Sequence, residues 1–111
     1  PIKTAYELLW REFRQQTSPT SLQNTMRRIL EARFRTSVSE ANMRKLLEQF
    51  DGPDVQIVVS LIAWMHDGSH NAHEDVFVSI TPDQVVAYAD VFRRLFVENG
   101  DEEHYNHMME Q

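Results

Sequence analysis

Residues 21–34 read Ser21-Leu22-Gln23-Asn24-Thr25-Met26-Arg27-Arg28-Ile29-Leu30-Glu31-Ala32-Arg33-Phe34. Leu22, Met26, Ile29, Leu30 and Phe34 fall at the three- and four-residue steps that gather side chains on one face of an α-helix. The stretch predicts a helix from about Ser21 to Phe34 that buries that face. Just before it, Thr17-Ser18-Pro19-Thr20 interrupts the preceding pattern and supplies N-cap candidates. Upstream, Tyr6, Leu9, Trp10 and Phe13 repeat the helical spacing within Ile2 to Gln16. Two amphipathic helices joined by a short break already point to an all-α protein.

Downstream the same signals recur. Ser39 caps a short third helix, Glu40 to Phe50, and Asp51-Gly52-Pro53-Asp54 gives a stop and a restart. A fourth helix is expected from about Asp54 to His66; it is apolar on most sides and should be the most buried element. A polar loop, residues 67–75, precedes Val76–Ile80, which alternates and reads as an extended segment packed against helices. Thr81-Pro82-Asp83-Gln84 combines a cap, a proline at the first helical position and the Gln of a capping box. The fifth helix then runs to Asn99 with Val85, Tyr88, Ala89, Phe92, Leu95 and Phe96 inward, and Gly100 ends it. The tail, Asp101 to Gln111, has room for one or two more helical turns. The expected architecture is a five- or six-helix bundle formed by one domain, residues 1–111.

Composition sets limits on what such a bundle does. With 111 residues, 41% hydrophobic and 25% charged, the chain has material for one core. It contains no cysteine, so neither a disulfide framework nor a thiolate metal site is possible. No apolar run approaches a membrane span, and the cytoplasm is the default compartment. The net charge of −6 argues against a general nucleic-acid binder, but the charge is unevenly placed. Residues 1–50 hold nine Lys/Arg against five Asp/Glu, a net of +4; residues 51–111 hold two against twelve, a net of −10, with all five histidines. The only plausible phosphate-facing surface lies in the first half.

Two groups of residues carry possible chemistry. The first sits on the second helix: Arg27, Arg28, Glu31, Arg33 and Arg35. At 100° per residue Arg27 falls at the edge of the apolar stripe and Arg28 nearly opposite it. Arg27 and Glu31, four apart, share a face. An arginine held by a glutamate can stabilise the charge that builds on a phosphorane; far more often such a pair is a surface contact worth about 0.3–0.5 kcal/mol. The second group is His66 at the expected end of helix four, with His70 and His73 in the loop beyond. A helix C-terminus favours protonated histidine, and a histidine tuned near neutrality acts as general acid or base. The same residues equally suit capping or loop hydrogen bonds. His66, His70 and His73 with Asp67, Glu74 or Asp75 also supply nitrogen and oxygen ligands for a divalent ion, but their spacing matches no closed zinc pattern. His104 and His107 lie in the tail, which is either mobile or docked by Tyr105, Met108 and Met109. No nucleophile elbow and no glycine-rich phosphate loop are present.

Asn24-Thr25-Met26-Arg27-Arg28-Ile29-Leu30-Glu31, then Asp67-Gly68-Ser69-His70, then His104-Tyr105-Asn106-His107-Met108-Met109, taken in this order, resemble the C-terminal region of P-loop ATPases related to the PrrC and RloC anticodon nucleases. The resemblance implies a HEPN-like helical domain at the C-terminal end of a larger protein. It further implies a metal-independent ribonuclease acting on RNA, tRNA above all, in phage defence under an N-terminal ATPase domain of the same chain. Carried over, Arg27 and Glu31 match the family's spaced Arg–Glu pair, and His66 or His70 its downstream histidine. Arg28 and Arg35 would contact RNA, with no metal and no cofactor, and a homodimer would share the site. The competing expectation is a non-catalytic dimerisation or sensing module of the ATPase.

Overall fold

The computed structural model describes residues 3–15, 18–62, 65 and 80–111. Among them are six α-helices and no strand: α1 Ala5–Gln15, α2 Pro19–Phe34, α3 Glu40–Leu47, α4 Pro53–Ile62, α5 Val85–Glu98 and α6 Glu102–Met109, with a 3-10 turn at Pro82–Gln84 leading into α5. The all-helical bundle is therefore observed. Of the segment expected to be extended, 76–80, only Ile80 is described; it is buried and outside any helix.

Local chemistry sets where the helices begin and end. α1 starts later than its apolar pattern suggests, because Thr4 and Glu7 form a capping box. The Glu7 amide donates to Thr4 Oγ1 at 3.1 Å and the Thr4 amide to Glu7 Oε1 at 2.9 Å. α2 starts earlier than expected: Ser18 accepts from the Ser21 amide at 3.2 Å, and Pro19 takes the first turn, where its missing N–H costs nothing. Ser39 caps α3 through the Asn42 amide, as its sequence signal indicates. The end of α3 tightens instead of continuing to Phe50, with the amides of Gln49 and Phe50 donating to the carbonyls of Leu46 and Leu47. At the end of α5, Gly100 adopts φ +73°. The Asp101 amide then reaches the Phe96 carbonyl at 2.7 Å and the Gly100 amide the Val97 carbonyl at 3.1 Å, a Schellman closure that turns the chain directly into α6.

The helices pack in a ring. α1 contacts α2, α2 contacts α4, α4 contacts α5, α5 contacts α6, and α6 returns to α1; α2 and α5 also touch across the middle, and α3 leans on α4. Trp10, fully buried, stands at the junction. Its ring lies 5.8 Å from Phe13, 5.5 Å from Phe92, 5.6 Å from Phe96 and 5.7 Å from Tyr105, measured between centroids. Such separations are those of favourable tilted and edge-to-face pairs. Five of the ten described residues between 54 and 66 are buried, the same share as in α2. α4 buries Ile57, Val58, Leu61 and Ile62 but leaves Val59 38% exposed, and eight of the sixteen residues of α2 are buried. The expected end of helix four at His66 lies outside the described residues; Met65 is buried and donates to the Ile62 carbonyl at 3.0 Å.

Candidate functional site

The candidate site is a row along α2. Gln23, Arg27, Glu31 and Arg35 follow one another at four-residue steps and so stack along one line of the helix. The row climbs from the interior to solvent. Gln23 is 1% exposed and Arg27 5%, while the side chains of Glu31 and Arg35 are 25% and 43% exposed. Arg35 Nη1 stands 3.7 Å from Glu31 Oε2. Arg28, on the outer side of the same helix, is exposed. α2 thus has one arginine sunk at the margin of the core and two at the surface beside it.

The electrostatics of Arg27 follow from that position. Burial pushes its guanidinium below the ordinary arginine value, and the Glu31 carboxylate pulls it back up. Arginine remains charged at any physiological pH, so the buried cation keeps its charge with Glu31 as its counter-ion. A guanidinium is weakly hydrated and matches phosphate geometry with its planar fork, so it suits a margin position of this kind. Gln23 was not singled out by sequence reasoning. Its Nε2 is buried without a hydrogen-bond partner, which costs stability. The available signal was its place one helical step before Arg27.

The expected histidines, His66 and His70, lie outside the described residues, as do His73, Asp67, Glu74 and Asp75. Among the described residues no group of three or more His, Asp or Glu has an arrangement that could hold a metal ion.

Arg33 belongs elsewhere. It points off the opposite side of α2 and makes a two-pronged ion pair with Asp101, Nε to Oδ2 at 2.7 Å and Nη2 to Oδ1 at 2.8 Å. That hydrogen-bonded pair raises the Arg33 value, against a smaller opposing effect of burial. Beside it, the Tyr6 hydroxyl lies 2.7 Å from His104 Nε2, and the two rings stack at 5.8 Å and 18°. Arg14 Nη1 donates to the Met108 carbonyl at 2.6 Å. The tail is therefore docked: Met108 is buried, and Tyr105 and Met109 pack on the core. Sequence reasoning named the apolar half of this docking and missed the polar half, because its partners are 68 to 98 residues apart.

No helix among the described residues is long and apolar enough to cross a membrane. Compared with known proteins, the chain matches the family model described as an AAA domain over residues 1–97. No curated protein matches it. No solved structure matches it.

Proposed function

The chain belongs to the AAA domain family, and we propose that it is the RNA-cleaving part of an ATPase-associated protein: a metal-independent endoribonuclease of the anticodon-nuclease kind, HEPN-like in architecture. The observation that carries this reading is the α2 row, where buried Arg27 is countered by Glu31 and flanked by exposed Arg28 and Arg35. RNA would run along the outer side of α2, with Arg28 and Arg35 on flanking phosphates and Arg27 on the scissile one. Glu31 would hold Arg27 in orientation. His66 or His70 would take the proton of the 2′-hydroxyl as its oxygen attacks phosphorus. The phosphorus–O5′ bond then breaks, O5′ leaves with a proton returned by the histidine, and a 2′,3′-cyclic phosphate remains. An N-terminal ATPase region of the same polypeptide would gate the reaction, two copies would share the site, and phage defence is the setting in which a self-directed tRNA nuclease is useful.

The test is cleavage of purified tRNA in EDTA by the chain, alone and joined to the ATPase region with ATP. Wild type should give discrete fragments ending in cyclic phosphate. Arg27→Lys keeps the charge but loses the planar fork and should be strongly impaired, as should His70→Ala or His66→Ala, with circular dichroism confirming that each variant folds. No fragments under either condition would remove the nuclease reading.

The alternative is a non-catalytic dimerisation or sensing module. A cleft of about 370 Å³ between the first turns of α4 and α5, lined in part by Pro53, Ile57, Ala87 and Tyr88, favours it. Val86, the residue before Ala87 in α5, is 76% exposed. Absence of cleavage together with a sedimentation shift on adding the ATPase region would select this reading.

A further inference from the structure

One side chain ties the turn between α3 and α4 to α5. Arg94 donates to Asp54 Oδ2 at 3.2 Å and to the Gln49 carbonyl at 3.4 Å, and its guanidinium carbon lies 4.4 Å from the centre of the Phe50 ring. The end of α3 is thereby fixed beside the last turns of α5, and a groove of about 230 Å³ lies between them. Asn42, Lys45, Leu46 and Gln49 line it from the α3 side, Glu98 and Asn99 from the end of α5. The first four recur at three- and four-residue steps, so α3 and the tight turn that ends it carry them on one face. Leu46 is buried, and the five polar residues are exposed. Among the described residues, none of those five side chains is engaged in a hydrogen bond or an ion pair. Lys45 and Glu98 line one groove without pairing, which leaves a cation and an anion both open to a ligand.

We propose that this groove is a nucleotide-binding subsite: Lys45 takes the phosphate, while the carboxamides of Asn42, Gln49 and Asn99 and the Glu98 carboxylate read the base and the ribose.

The residue types select that ligand. A carboxamide carries a donor and an acceptor in one plane, which is what the edge of a nucleobase offers in return. Glu98 only accepts, and it suits a ring amino group or a ribose hydroxyl. It also repels a bare phosphate, so the groove favours a phosphate that arrives with donors beside it. Leu46 offers the flat face of a base an apolar contact. Lys45 supplies a point charge for the phosphate, and exposed Arg44 on the same helix adds to it, as does exposed Arg35 at the end of α2. That surplus of cations favours a phosphate ester over a neutral peptide. The volume falls below the about 300–1,000 Å³ of sites that enclose a whole small molecule, so the groove holds one nucleotide in part, open on one side.

Two sources carry this chemistry: a free nucleotide, and a nucleotide within an RNA strand that also meets Arg28 and Arg35. The subsite goes beyond the nuclease reading and does not use Arg27 or Glu31. Its test reads binding, so it stands or falls whether or not the chain cleaves RNA.

The side-chain NH₂ signals of Asn42, Gln49 and Asn99 are followed by NMR on the folded chain. Inorganic phosphate is added first, then each of the four nucleoside 5′-monophosphates, then single-stranded six-nucleotide RNAs of one base each. The three signals should shift together and saturably with a nucleotide, and inorganic phosphate at the same concentration should not move them. Shifts with monophosphates make a free nucleotide the source; shifts with the RNAs alone make it a strand. Gln49→Ala should weaken the preferred base about fivefold or more, the lower end for loss of one two-pronged base contact. Lys45→Ala should weaken every nucleotide alike and lower the salt slope of RNA binding by about one. Both positions are exposed, and circular dichroism checks that the variants fold. Unmoved signals with every nucleotide and RNA would overturn the subsite. So would the same shifts with inorganic phosphate alone, or undiminished affinity in either folded variant.

Discussion

Replacing Trp10 by alanine tests the packing on which the ring of helices rests. Trp10 is fully buried and meets aromatic rings from α1, α5 and α6 at centroid distances of 5.5–6.4 Å. A buried aromatic of this kind removes roughly 150–250 Å² from water, worth about 4–6 kcal/mol at about 25 cal/mol per Å². Measured aromatic-to-alanine losses in cores are about 3–5 kcal/mol, because the neighbours relax partly into the space. A loss near 4 kcal/mol is expected here, since rings on three helices cannot all collapse toward one point. Against a typical total of about 5–15 kcal/mol, that is a large fraction of the stability. The melting temperature should fall by roughly 15 °C or more. The assay is urea unfolding followed by far-ultraviolet circular dichroism, which does not depend on the tryptophan removed. Leu8→Ala serves as a control, because Leu8 is 49% exposed and its truncation should change stability by no more than about 0.5 kcal/mol. A Trp10→Ala loss below about 1.5 kcal/mol, at unchanged denaturant slope, would refute the claim that this ring joins the three helices.

Two further outcomes are expected. A double-mutant cycle on Arg33→Ala and Asp101→Ala should return a coupling of about 1 kcal/mol at low salt, the upper end for partly exposed pairs because the geometry is two-pronged. Raising the salt to molar levels should shrink it, and a salt-independent coupling would contradict an ion pair. Gln23→Met, close in volume and without the buried orphan N–H, should leave stability equal or raise it by about 1 kcal/mol. A clear drop in melting temperature would show that the Gln23 amide is satisfied after all.

His104 also makes stability depend on pH, and the sign follows from linkage. Its folded value is depressed below the unfolded one, so the unfolded chain binds the proton more readily. Its contribution is complete above the ordinary imidazole value of about 6.5 and declines as pH falls through that value toward the folded one. Glu7 and Asp83, lowered by bonds to Thr4 and Thr81, work in the same direction at still lower pH.

The sequence by itself determined the helical class and most helix positions. The reason is local: spacing on one face, caps such as Ser39, and the stops at Gly52 and Gly100 act within a few residues. Local caps, the Thr4–Glu7 box and Ser18 with Pro19, account for the shifted starts of α1 and α2. The wheel also placed Arg27 at the core margin and Arg28 outside, because burial of a helix face follows from its period. Tertiary structure decided the rest. That Arg33 serves α6 and not the Arg27 row, and that Tyr6 and His104 meet across 98 residues, depends on how the ring of helices closes. Periodicity tells a helix which side to bury; only packing tells it against what.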